Sequence, residues 1–205
     1  MGADSVTLRQ RLSFLGVSRS PAPVPLLVLI GDHAYPLPTV GEIFDVRRMR
    51  AYHPVYVLTV QAEGARPNAA VADEVHSAIA RLRASRDVDP RRVYLVGEAR
   101  GADLVWRLLE SSPDDYAAAV AANGRVVGLA GSGRADRIAG VPIWVFQDAE
   151  SDRVPVEAVR ATVGALWAVG STVRYTEYRD QEPDRWAALR REDRLLAWLF
   201  MQSRD

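Results

Sequence analysis

The five residues Gly97-Glu98-Ala99-Arg100-Gly101 set a carboxylate and a guanidinium on either side of an alanine, between an apolar run at 92–96 and an amphipathic stretch at 101–111. Asp32 and His33 follow another apolar run, 25–30, while Asp148 and Asp152 follow a third, 141–146. Carboxylates gathered beside an arginine and an imidazole acquire displaced pKa values and suit proton transfer, one group acting as acid and another as base. The same charges serve equally well as ion pairs that close a cleft. Which holds depends on whether the surrounding elements bring them to one place.

Two absences narrow the chemistry further. The chain has no cysteine, which excludes disulfides, thiolate catalysis and cysteine-ligated metals. It has no lysine either, which excludes Schiff-base chemistry, a Ser-Lys dyad and a lysine-bearing phosphate loop; a GC-rich bacterial-type genome accounts for that bias. Its three histidines, His33, His53 and His76, all precede residue 88. His53 opens a predicted strand and His76 lies inside a predicted helix, so both read as structural or exposed. No cofactor or metal motif is present.

The elements that must position these groups are legible from periodicity. Short apolar runs at 25–30, 53–60, 92–96, 117–122, 141–146 and 172–178 predict about six strands, and amphipathic stretches at 68–85, 101–111, 155–169 and 185–202 predict helices between and after them. Fully apolar strands alternating with helices indicate a mostly parallel sheet covered on both faces. In such sheets ligands bind at the carboxyl ends of the strands, where Asp32, His33, Glu98, Arg100, Asp148 and Asp152 all fall. The spacing of Leu8, Leu12 and Leu15 predicts a short helix over 5–17, followed by a Pro-punctuated linker, so residues 1–22 read as an appendage to a domain at 23–205. That helix is a candidate interaction element, dispensable for folding. The glycine-rich stretch 124–138 predicts a long loop, whose Arg125, Arg134 and Arg137 suit an anionic ligand. Arg190, Arg191, Glu192, Asp193 and Arg194 read as a solvated helix face.

The segment 88–123 (VDPRRVYLVGEARGADLVWRLLESSPDDYAAAVAAN) resembles the nucleophile region of small α/β-hydrolase-fold esterases of the polyhydroxybutyrate-depolymerase and feruloyl-esterase kind, and 141–186 resembles their later strand-and-loop segments. The likeness extends over nearly all residues after Pro25. It implies an α/β-hydrolase fold without a lid domain, and a Gly-x-Ser-x-Gly turn that here carries Ala99. It places the family's acid on Ser151, one residue before Asp152, and the family's histidine on Pro183, between Glu182 and Asp184. The oxyanion segment falls on Gly31-Asp32-His33, with a carboxylate where the family has glycine. The resemblance therefore implies a degenerate triad at Ala99, Ser151 and Pro183.

Three functions follow from this reading. One is a pseudoenzyme that binds a small ligand or a protein partner as scaffold or regulator. Another is a redirected enzyme that uses the old pocket for cyclisation, isomerisation or elimination through Asp32, His33, Glu98 or Asp148. The last is a hydrolase with a non-standard catalytic set. A formal net charge of +0 gives no general attraction to nucleic acid or anionic membrane. No apolar run reaches the roughly 20 residues that span a bilayer, and no secretory leader is evident, so the expected address is cytoplasmic. The substrate, the partner and the oligomeric state are not encoded legibly.

Overall fold

The computed structural model describes residues 7–15, 23–32, 54–63, 69–126, 129, 133–179 and 186–204. Seven strands form one sheet: β1 (Thr7–Leu15), β2 (Val24–Asp32), β3 (Val55–Glu63), β4 (Val88–Glu98), β5 (Ala118–Ala122), β6 (Ile143–Asp148) and β7 (Arg174–Tyr178). Their order is β1-β3-β2-β4-β5-β6-β7, parallel throughout except for the antiparallel β1–β3 pair. The chain reverses its direction of travel across the sheet between β3 and β4, on either side of β2. The crevice at the carboxyl ends of β2 and β4 is thus the topological switch point, where open parallel sheets place their sites.

Helices cover both faces. On one face, α1 (Ala69–Ser85), α2 (Arg100–Ser111), α3 (Arg134–Ile138) and α4 (Val156–Ala168) bury Val75, Leu104, Leu108, Ile138 and Val163 against Val28, Val93, Leu95 and Val145. On the other, α5 (Ala187–Arg191) and α6 (Leu195–Met201) bury Leu189, Trp198 and Leu199 against Leu27, Tyr94, Val120 and Phe146. Side chains of successive strand residues therefore enter opposite cores, which is why the strands read as unbroken apolar runs. The Tyr94 hydroxyl donates to the Gln202 carbonyl at 2.8 Å and ties the chain's end to the central strand.

Three expectations require correction. The segment expected as a helix over 5–17 is the edge strand β1, paired with β3 along nine residues from Thr7↔Glu63 to Leu15↔Val55. A spacing of four, as between positions 8 and 12, puts side chains on one face of a helix or a strand alike, whereas the spacing of three from 12 to 15 does so only in a helix; the backbone pairing that overrides this pattern comes from residues far away in sequence. Leu15 packs against the core lined by Val55 and Val57, while Phe14 meets Tyr56 with ring centroids 5.1 Å apart. The dispensable interaction helix thus gives way to an integral strand, the seventh that the described residues contribute to the sheet.

The helix expected over 185–202 is two helices, α5 and α6, broken at Glu192, whose ψ of 90° is extended. In a continuous helix, Leu189 and Leu195 would stand about 120° apart around the axis; the break re-phases the second helix so that both face the sheet. The loop expected over 124–138 contains α3, which begins after Gly133 at φ 69°. Among the described residues no helix is long and apolar enough to cross a membrane.

Candidate functional site

The turn from β4 into α2 is built around one unusual backbone. Ala99 has φ 51° and ψ −114°, outside the regions open to L-residues, and is completely buried. Such a conformation costs about 1–3 kcal/mol and persists only where neighbours enforce it. Here the Ala99 amide donates to the Ala122 carbonyl at 2.9 Å, and the Ala99 carbonyl accepts from the Asp103 amide at 3.1 Å. The flanking glycines are steric necessities: a Cβ on Gly97 would lie 2.6 Å from the main chain of Gly101, and one on Gly101 would lie 2.0 Å from the Ile30 carbonyl oxygen. The apex of this sharp strand-to-helix turn carries a methyl group, which has no nucleophilic or acid-base chemistry.

The topology brings most of the charged candidates to this edge. Glu98 is the last residue of β4 and almost wholly buried; Arg100, half-buried, is the first residue of α2. The backbone of Asp32 ends β2 in register with Ala62, and Ile30 of the same strand pairs with Gly97. The Asp32 side chain, His33 and Pro183 lie outside the described residues. Asp148 ends β6, half-buried, and its Oδ1 accepts from the Glu150 amide at 2.9 Å, so this carboxylate shapes its own turn. Ser151 follows in the same turn, with Oγ accepting from the Val154 amide at 3.4 Å, and Asp152 is exposed to solvent. Gln147 is fully buried, and its amide donates to the carbonyls of Asp148 at 2.8 Å and Val154 at 3.2 Å.

Residues not singled out in the sequence hold this edge together. Asn123, which follows β5 with φ 52°, donates from Nδ2 to the Tyr178 hydroxyl at 2.6 Å and accepts at Oδ1 from the Asp148 amide at 2.9 Å. It links the ends of β5, β6 and β7. The Arg153 guanidinium donates to the Asn123 carbonyl at 2.7 Å and forms an ion pair with Asp103 of α2, whose other oxygen accepts from the Arg125 amide. Arg125 in turn donates to the Arg153 carbonyl at 3.1 Å. The signal for Asn123 was present as an Asn-Gly dipeptide after an apolar strand, a pair that tolerates positive φ. Nothing local marked Arg153 and Asp103, which are 50 residues apart.

His76 lies on α1, its ring stacked on Tyr116 at 6.1 Å. Burial, opposed by Asp115 and Asp73, lowers its pKa below the ordinary histidine value. Burial also raises the pKa of the Tyr116 phenol, so both groups are neutral near pH 7. Among the described residues no cluster of three or more His, Asp or Glu side chains could hold a metal ion.

No family model and no curated protein matches the chain in sequence. Solved structures do match its fold. A thermostable esterase superposes with a TM-score of 0.79 at 24% identity, over 98% of this chain and 63% of its own. The acylaminoacyl peptidase of Pyrococcus horikoshii gives 0.68 at 13% identity, over 98% of this chain and 42% of its own. A phospholipase/carboxylesterase from Dyadobacter fermentans gives 0.61 at 16% identity, over 94% and 98%. The chain spans less than two thirds of the length of the esterase and less than half that of the peptidase. The mostly parallel sheet and its covering helices are those of the α/β-hydrolase fold.

Proposed function

We propose that this chain is a pseudoenzyme of the α/β-hydrolase fold, a cytoplasmic protein that binds a small ligand or a partner protein as scaffold or regulator and does not hydrolyse esters. Ala99 carries this reading. The strained elbow and its two glycines are retained, while the side chain at its apex is a buried methyl group. In a serine hydrolase, loss of the nucleophile alone lowers kcat by on the order of a million-fold. Ser151 and Pro183, at the positions of the acid and the histidine in the resemblance, supply neither an orienting carboxylate nor a base. Selection for a fold that keeps a costly turn without its nucleophile is selection for shape.

The test combines ester hydrolysis with covalent labelling by a fluorophosphonate probe, on the natural chain and on Ala99→Ser. No turnover above the buffer rate and no labelling of the natural chain are expected, and Ala99→Ser should gain no turnover because a base is still lacking. Saturable ester hydrolysis by the natural chain would overturn the reading.

A second reading rests on Glu98, a carboxylate almost wholly buried at the end of β4 beside the elbow. In that position it suits acid-base chemistry on a bound molecule without acyl transfer, such as isomerisation or elimination. A ligand recovered from the native protein and converted by it, with conversion lost in Glu98→Gln, would establish this reading over the scaffold.

A further inference from the structure

The two arginines left over from the long loop take a different role from Arg125. Arg134 and Arg137 lie on α3 and, with Arg107 of α2, line a hollow of about 260 Å³ between α1, α2 and α3. The hollow shares no residue with the elbow, and Arg107 is about 10 Å along α2 from Arg100. Its charge is only partly balanced by ion pairs. Glu110 neutralises Arg134 across the groove. Asp73 also lines the hollow, yet among the described residues no ion pair joins it to any of the three guanidiniums, and neither Arg107 nor Arg137 has an ion-pair partner. Ala72 forms part of an apolar wall. Arg107 and Arg137 thus line one small concavity without an ion-pair partner among the described residues, and an anion bound there accepts the forked hydrogen bonds of their guanidiniums.

We infer that this hollow is a binding site for a small organic oxyanion, a phosphate or a carboxylate with a modest apolar part. The volume matches a small metabolite. Arg107 and Arg137 clasp the anionic group, and Glu110 holds Arg134 in reserve as a third donor. This site stands apart from the edge where the old hydrolase chemistry lay, so it does not depend on whether that edge is catalytic.

The experiment follows the arginine side-chain N–H signals by NMR during titration with inorganic phosphate and, separately, with acetate, at constant ionic strength maintained by chloride. Saturable shifts of Arg107 and Arg137, assigned through Arg107→Gln and Arg137→Gln, are expected with at least one probe; the stronger probe identifies the anion class. The double variant should bind about tenfold more weakly or worse, as loss of a charge-assisted contact implies. Both side chains are exposed, so an unchanged circular dichroism spectrum is expected to accompany the loss. Glu110→Gln should instead tighten binding several-fold by releasing Arg134. Shifts that grow without saturation on all arginines, or an affinity unmoved by the double variant, would overturn the site.

Discussion

A methyl group added to Gly101 would stand 2.0 Å from the carbonyl oxygen of Ile30, so the first turn of α2 and the end of β2 are in contact through backbone alone. Because neither side can yield by rotating a side chain, Gly101→Ala is expected to cost about 3 kcal/mol or more. Urea unfolding measures it. A cost below that of an ordinary surface substitution would show that α2 does not approach β2 in this way.

The elbow itself predicts an ordered series at Ala99. A β-branched side chain tolerates positive φ badly, and this position is wholly buried, so Ala99→Val should lose about 3 kcal/mol. Ala99→Gly releases the backbone strain and gives up one buried methyl, and should fall within about 1 kcal/mol of the natural chain. Equal stabilities for the two variants would contradict the φ of 51°.

Arg153 and Asp103, with side chains 23% and 18% exposed, form the ion pair that ties the β6 loop to α2. Removing one partner leaves a largely desolvated charge, so Arg153→Met and Asp103→Asn should each cost about 2 kcal/mol, with the double variant costing less than their sum. A double-mutant cycle on unfolding free energies reads the coupling. Strict additivity would mean the pair contributes nothing beyond its two separate environments.

Truncation before residue 16 removes β1 and uncovers the β3 edge, including its nine-residue hydrogen-bonding ladder. The shortened chain is expected to unfold at a lower temperature and to self-associate through the exposed strand. Scanning calorimetry and light scattering test both effects. A truncated chain as stable and as monodisperse as the full one would mean that β1 contributes no stability.

Acid should destabilise the protein partly through His76. Its folded pKa lies below the unfolded value of about 6.5. The native state therefore binds fewer protons, and the stability this group contributes is complete above about pH 6.5 and is lost as the pH falls below it. Asp115, Asp73 and Arg83 are the charges that act on it. His76→Gln should flatten the stability profile between pH 7 and the folded pKa, as measured by urea unfolding at a series of pH values.

Much of the architecture was legible in the chain. The fully apolar runs around Leu27, Leu95 and Val120 announced a parallel sheet buried on both faces, because alternate side chains there enter two cores. The sharp turn at 97–101 was implied only by the resemblance to a Gly-x-Ser-x-Gly turn, and the structure supplies its reason, since only a residue without Cβ admits such backbone approach. The exclusions were equally secure: no thiolate or lysine amine chemistry can arise from residues that are absent. These are properties of local periodicity and side-chain chemistry, which the sequence alone determined.

Tertiary structure decided the rest, because it depends on residues distant in sequence. The spacing of Leu8, Leu12 and Leu15 is helical, and only the pairing of Thr7–Leu15 with Val55–Glu63 imposes the strand. The break at Glu192 follows from the need for Leu189 and Leu195 to face one sheet. Arg125, Arg134 and Arg137 looked equivalent in one loop; folding sent Arg125 to the Arg153 carbonyl and placed the other two beside Arg107. A side chain's partner is set by where the whole chain brings its neighbours, and that information belongs to no single segment.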